Sequence, residues 1–448
     1  MTTEDLTRRG LGRTLFSMTW PMLFGVVSLL GFQLVDSAFV GQLGVDPLAV
    51  MGFTLPMMQF IIGTQVGIGI ATTALISRVL GAGDAERARR LGGLVVTTGA
   101  VVMAMLAALI WLLRQPILQA LHADPALMPL VDRYWVPWLA SAWVGALLYF
   151  GYSVCRANGD TRLPGLMMAI TSLINLALDP LYIFVFGWGL PGAALATLTA
   201  FSIGAVVVYP RVAGRHWLGL DLDALPPGPA LRELAGIAGP AMMSQLMPPI
   251  SATLATYLVA RFGSVAVAAW GLGTRLEFFS IVVVLALTMS LPPMVGRFLG
   301  SGELQYVRRL VRLAVRFVIA WQIAVALVWL GLSGVVSHLL TGDVAVAETV
   351  RGYLMRVPLS YGGLGVCMLM VSVSNALGLP LRALTISVVR LFVCYLPALW
   401  IGAQLADLPG VFDGALTGNL AAGLLAWILY RQGMQALEWR TSEAAASS

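Results

Sequence analysis

Four side chains stand out against an apolar background: Asp36, Asn175, Asp179 and Thr197. Asn175 precedes Asp179 by one helical turn, so a helix sets both on one face. Two carboxylates, an amide oxygen and a hydroxyl are hard oxygen ligands of the kind that suits a small cation. Two carboxylates in a dry site also repel each other, which lets the pair carry a proton. This chemistry leaves two coupling ions open, H+ or Na+, with Na+ held by the same four residues. No other cofactor is expected.

The elements that must position these groups follow from composition. Charged residues make up 11% of the 448, against about 25% in soluble domains. Apolar residues make up 59%, and the mean hydropathy is +0.87. A soluble enzyme, a disordered chain and a nucleic-acid binder are thereby excluded. A membrane-crossing helix needs about 20 mostly apolar residues, and twelve stretches qualify. They centre near Val26, Ile62, Val102, Ala142, Ile174, Ala200, Ala252, Val284, Val325, Cys367, Val393 and Leu424. The expected fold is an all-α polytopic membrane protein. All 27 basic residues are arginine. Most lie in the N-terminal segment, in alternate connections and in the tail, whereas the opposite connections carry only Arg114, Arg133, Arg261, Arg351 and Arg356. By the positive-inside rule both termini are cytoplasmic, in a bacterial inner membrane. The net positive charge is a topology signal and not a nucleic-acid patch.

The two halves repeat at an offset of 219. Trp20-Pro21 matches Gly239-Pro240, and Arg78-Val-Leu-Gly-Ala-Gly-Asp84 matches Arg297-Phe-Leu-Gly-Ser-Gly-Glu303. Each half has six spans, so both insert the same way round, as two six-helix bundles related by a pseudo-two-fold axis along the membrane normal. Such bundles meet at a cleft and rock to give alternating access. The expected division is an N-lobe over 1–213, a cytoplasmic linker over 214–232, a C-lobe over 233–432 and a tail over 433–448. The duplication breaks at the chemistry. Asp36 falls on Ala255, and at an offset of 217 Asn175 falls on Phe392 and Asp179 on Leu396.

Ionisable residues inside a span default to functional hypotheses because they are costly there. Arg275 and Glu277, at the start of span 8, are expected to form a structural ion pair with groups at the membrane interface. Arg390 in span 11 either lines a cavity or pairs with Glu277. Pro21 kinks span 1, as a static packing feature or as a hinge. Gln33, Asn158, Met243, Gln245, Met368 and Arg390 are candidates for lining a substrate cavity, the methionines because their surfaces adapt to varied ligands. Cys155, Cys367 and Cys394 have no CxxC spacing and read as apolar fillers. No metalloprotease, phosphate-loop or serine-hydrolase motif is present, so no enzyme is expected.

With these residues the chain resembles the multidrug and toxic compound extrusion (MATE) family. The matching stretches include Leu34-Val-Asp36, Leu80-Gly-Ala-Gly-Asp84, Asn158-Gly-Asp-Thr161, Asn175-Leu-Ala-Leu-Asp-Pro180, Gly192-Ala-Ala-Leu-Ala-Thr197 and Gly273-Thr-Arg-Leu-Glu277. The pattern is closest to the DinF branch, which implies a coupling site at Asp36, Asn175, Asp179 and Thr197 and a bend of span 1 at Pro21. The NorM branch places acids in the C-lobe, where this chain has Gln245 and Leu369. The resemblance implies export of amphipathic, often cationic, drugs in exchange for H+ or Na+. The expected partners are such a small molecule and membrane lipids, with no nucleic acid, and a monomeric state. Two alternatives remain: a lipid or oligosaccharide-lipid flippase of the same superfamily, and a major-facilitator-type transporter. The latter needs a tight Gly–Asp-Arg–Gly-Arg loop that Gly81-Ala-Gly-Asp-Ala-Glu-Arg87 does not supply.

Overall fold

The computed structural model describes residues 10–219 and 226–446, the last seven by their backbone. Arg8, Arg9 and residues 220–225 of the expected linker lie outside the described residues. The described residues are helices and short connections, and they form two compact units that divide after Met242.

In the first unit, α1 (Leu11–Gly41) is followed by α2 (Val45–Phe53) and α3 (Leu55–Gly81), which together make span 2. Next come α4 (Ala85–Leu112), the short α5 (Arg114–Ala120), α6 (Met128–Ala157), α7 (Arg162–Pro180) and α8 (Gly189–Gly214). Asp84 caps α4 by accepting from the Arg87 amide at 2.9 Å, and Asp160 serves α7 by accepting from the amides of Arg162 and Leu163 at 3.0 and 3.1 Å. These bonds satisfy donors that a helix start leaves open. A five-residue π-helical segment, Leu181–Val185, follows α7 directly. Pro180 lacks the N–H that an α-helical turn would use there.

The tightest crossing in this unit is between α1 and α7. A Cβ on Gly25 would sit 2.8 Å from the Gly165 carbonyl oxygen, and one on Gly165 would strike the backbone of Pro21. Glycine on both helices allows backbone-to-backbone approach, the usual device for packing helices in a membrane. The core of the unit is built around Trp135, Phe150, Leu75 and Ile68.

The chain crosses into the second unit within α9 (Pro227–Val259). Pro227 and Pro229 stand in its first turn, where a missing N–H costs nothing. Leu234, Ile237 and Ala238 belong to the core of the first unit, and Glu233 forms an ion pair with Arg78. Then come α10 (Ser264–Ser280) and α11 (Val282–Gly300), which make span 8, and α12 (Leu304–Leu340). They are followed by α13 (Val344–Leu354), α14 (Tyr361–Ala376) and α15 (Pro380–Val388), a π-helical segment Val389–Tyr395, and α16 (Leu396–Ala446).

Ten helical stretches among the described residues are long and apolar enough to cross a membrane. One of them, Pro380–Trp439, has 60 residues. Straight, it would run about 90 Å, three times the hydrocarbon thickness. It does not run straight: Ala406 (φ −150°) and Asp407 (φ 50°) leave helical geometry, so it crosses twice. With the 33-residue α9 the count is twelve spans, six for each half of the chain.

The duplication is visible in the backbone. Left-handed glycines recur at the offset of 219: Gly44 and Gly263, Gly83 and Gly302, Gly159 and Gly378. Each of the last four follows a helix, and the next residue's amide reaches back five residues in a C-cap bond, as in Asp160 N to Cys155 O at 2.9 Å and Leu379 N to Ser374 O at 2.9 Å. Span 2 covers Val45–Gly81 and span 8 covers Ser264–Gly300, the same register. The breaks inside them differ. The first falls at Thr54 and the second at Ile281, whose counterpart is Ile62.

Span 8 therefore begins at Ser264, and Arg275 and Glu277 do not stand at its start. They lie eleven and thirteen residues in, about 17 and 20 Å deep. No ion pair involves Arg275 among the described residues. The sequence break at Thr274-Arg275 is a polar interruption within the helix and not its beginning.

Candidate functional site

The register of the α1–α7 crossing sets the site. Both helices run in the same direction. Eleven residues separate Gly25 from Asp36 and fourteen separate Gly165 from Asp179, about 16 and 21 Å of helix. The two carboxyls thus arrive at nearly the same level and lie within interaction range of each other. Two bare carboxylates offer only acceptors, so a hydrogen bond between them would need a proton between the oxygens.

Asp179 and Asn175 are fully buried, and Asp36 is half-buried. The Asn175 amide lies between Thr197 of α8 and Asp179. With its nitrogen towards the carboxylate it donates to Asp179 Oδ1 at 2.9 Å and Oδ2 at 3.2 Å, and its oxygen accepts the Thr197 hydroxyl at 2.9 Å. That orientation satisfies both ends of a buried amide. Thr197 also stands 3.1 Å from the Ala193 carbonyl, an alternative acceptor for its hydroxyl hydrogen. The four residues singled out in the sequence are therefore contiguous, drawn from α1, α7 and α8.

One oxygen of Asp36, Oδ1, is buried without a hydrogen-bond partner among the described residues. A buried orphan acceptor is costly unless something transient fills it. A proton or a small cation would do so, and the oxygens of Asp36, Asp179, Asn175 and Thr197 match the donor preference of a hard cation.

The sequence reading missed Tyr134. This α6 residue is buried and lies within electrostatic range of Asp36. It belongs to an aromatic run, Tyr134-Trp135 with Trp138, whose rings pack on one another 5.9 to 6.5 Å apart. Aromatics at a membrane boundary are common, so its type alone carried no signal.

The cavity candidates scatter. Asn158 ends α6, where its amide donates to the Val154 carbonyl at 2.9 Å. Gln33 and Met243 are exposed, and Gln245, Met368 and Arg390 are half-buried. The second unit does have a polar cluster. The Tyr353 hydroxyl donates to Glu277 Oε2 at 3.3 Å, and Tyr361, Tyr395 and Arg390 lie within electrostatic range of Glu277. Trp270 and Phe412 pack edge-on against Tyr353, at 5.7 and 5.5 Å between ring centroids. Arg390 is near Glu277 without forming an ion pair with it.

A single family model, MatE, matches twice, over residues 21–181 and again over 240–401. The chain belongs to the MatE family. The two matches start at Pro21 and Pro240, which restates the duplication. Among curated relatives, the "FAD transporter" of Shewanella oneidensis is 30% identical over 441 residues, covering 97% of each chain. The "Multidrug export protein MepA" of Staphylococcus aureus is 23% identical over 430 residues, covering 93% of this chain and 94% of that one. Among solved structures, the Vibrio cholerae MATE transporter VcmN in the bent form is 54% identical, with a TM-score of 0.93, covering 95% of this chain and 97% of that one. This MatE-family chain is a multi-pass membrane transporter of the two-lobe, twelve-helix fold.

Proposed function

We propose that the protein is a secondary antiporter of the DinF-like type that exports amphipathic, cationic compounds in exchange for H+, with Na+ as the alternative ion. The observation that carries this reading is the approach of Asp36 to Asp179 within spans 1 and 5, with Asn175 bridging Asp179 to Thr197 of span 6 and one oxygen of Asp36 buried without a partner among the described residues. With a proton between them the carboxyls attract. Without it they repel, and the site favours a cation, whether Na+ or a positively charged substrate. Protonation from outside would then release substrate, and loss of the proton to the cytoplasm would reset the site. One inward proton supplies about 2.3 kcal/mol per 100 mV of membrane potential. The orientation this requires, termini cytoplasmic in a bacterial inner membrane, agrees with the arginine distribution.

The test is efflux of a cationic dye such as ethidium from proteoliposomes, first under an imposed pH gradient and then under an imposed Na+ gradient. Flux driven by one gradient names the ion. Flux driven by neither, or equal flux in the Asp36→Asn variant, would sink the proposal.

A second reading is export of a flavin nucleotide. It is favoured by the relative named FAD transporter, which is 30% identical along nearly the full chain. Competition of FAD with dye efflux distinguishes the two.

A further inference from the structure

Arg390 is the second residue of the π-helical segment Val389–Tyr395. Single π turns inside helices recur at functional sites. The residue lies ten positions beyond Pro380, about 15 Å along the span and so near the middle of a hydrocarbon layer about 30 Å thick. A guanidinium at that depth is expensive and is normally paired. Here, among the described residues, no hydrogen bond or ion pair within 4 Å reaches it.

Glu277, the acid whose charge interacts with Arg390, is engaged elsewhere and accepts from Tyr353 at 3.3 Å. Glu277 is close enough to soften the field of Arg390, yet it leaves the five N–H donors of the guanidinium open. Arg390 is also half-buried, so part of it remains accessible. Cys367 and Tyr395 lie within electrostatic range of it. A planar, permanently charged fork with free donors matches the oxygens of a phosphate, which it binds in bidentate fashion.

We infer that Arg390 anchors an anionic, phosphate-bearing group of a transported molecule, with Glu277 as the internal counter-charge that keeps this binding weak enough to release. The inference rests on the second reading above, export of a nucleotide rather than of a cation, and gives the second lobe its part in binding that substrate class. A lipid headgroup offers the same chemistry. Headgroups, however, lie at the membrane edges, whereas Arg390 lies near mid-span.

The test uses the full chain in nanodiscs of zwitterionic lipid and two probes that differ by one phosphate, riboflavin and riboflavin 5′-phosphate. Binding is read from flavin fluorescence. Wild type should prefer the phosphate form by about tenfold or more, the scale of hydrogen bonds to a charged group. Arg390→Gln should bring the ratio to about one, Arg390→Lys should keep part of it, and Glu277→Gln should raise it. A ratio near one in wild type, or an unchanged ratio in Arg390→Gln, overturns the inference. If Arg390→Gln does not fold, judged by elution profile and melting, the Lys variant and Glu277→Gln decide: unchanged ratios in both overturn it. Repeating the wild-type titration with phosphatidylglycerol in the disc separates the sources. An unchanged ratio supports a transported phosphate, and a ratio that collapses overturns it in favour of a lipid headgroup. No ion gradient enters the measurement. Failure of the flavin ratio therefore leaves the coupling site at Asp36 standing, and failure of gradient-driven flux leaves the flavin ratio standing.

Discussion

The two halves of this chain share a backbone but not a chemistry. Spans 2 and 8 start and stop in register, and left-handed glycines coincide at Gly83 and Gly302 and at Gly159 and Gly378. Yet Asn175 and Asp179 face Phe392 and Leu396 in the repeat, and Asp36 faces Ala255. The second half instead holds Glu277, Tyr353 and Arg390, none of which has an acidic or basic counterpart in the first: the matching residues are Met58 and Tyr134 at the offset of 219 and Leu173 at the offset of 217. Duplication conserved what makes a helix end or cross another helix, and left free what a span interior contains. Among these pairs only Tyr353 and Tyr134 agree in type. Each lies beside a carboxyl group, Glu277 in one half and Asp36 in the other. Among these pairs, a phenol near an acid is thus the feature that both halves keep.

The comparison can be broken most severely at the acids. Asp36→Asn or Asp179→Asn should reduce gradient-driven dye efflux to the protein-free background, with normal expression. Wild-type drug resistance from both variants in a pump-deficient host would remove the distinction between the halves. Next comes a graft. Phe392→Asn combined with Leu396→Asp places the motif in the second half without a partner equivalent to Asp36. An unpaired acid in a span costs about 2.5–3.5 kcal/mol, so yield and melting temperature should fall clearly. A graft as stable as wild type would mean that the second half already offers a partner.

A packing change is expected to be smaller. Gly165→Ala drives a Cβ into the Pro21 backbone and should cost about 1–3 kcal/mol, read as a lowered melting temperature in detergent. Gly362→Ala, whose position is open to within 4.0 Å of Gln322, should leave melting unchanged. The smallest effect is at Thr197→Ala. It removes one hydroxyl from Asn175, about 0.5–1.5 kcal/mol, and should weaken the apparent affinity for the coupling ion by about two- to tenfold. Equal affinity would place Thr197 outside the site.

Much of this was readable from residue types alone. Charge is so scarce that Asp36 and Asp179 stand out, and the i, i+4 spacing from Asn175 tied an amide to one of them. The number of spans followed from apolar length. What could not be read was depth. Hydropathy broke at Arg275 and suggested a helix start there, whereas the helix begins at Ser264 because Gly263, with φ 96°, turns the chain. Partnership was equally hidden. Arg390 and Glu277 are 113 positions apart, and only packing shows that they approach without pairing. Tyr134 was lost among aromatic neighbours whose types say only that a membrane boundary is near.

The glycine contact between α1 and α7 has a mechanical meaning. Gly165 clamps the α1 backbone at Pro21, which makes that point a fulcrum. Asp36 lies fifteen residues further along, at the end of an arm about 22 Å long. Tilting that arm by only about 10° would carry the carboxyl about 4 Å, farther than a hydrogen bond can stretch. A proton shared with Asp179, as proposed, would therefore work with a long lever. Gaining or losing one bond at the tip is geometrically equivalent to a small change of angle at the base.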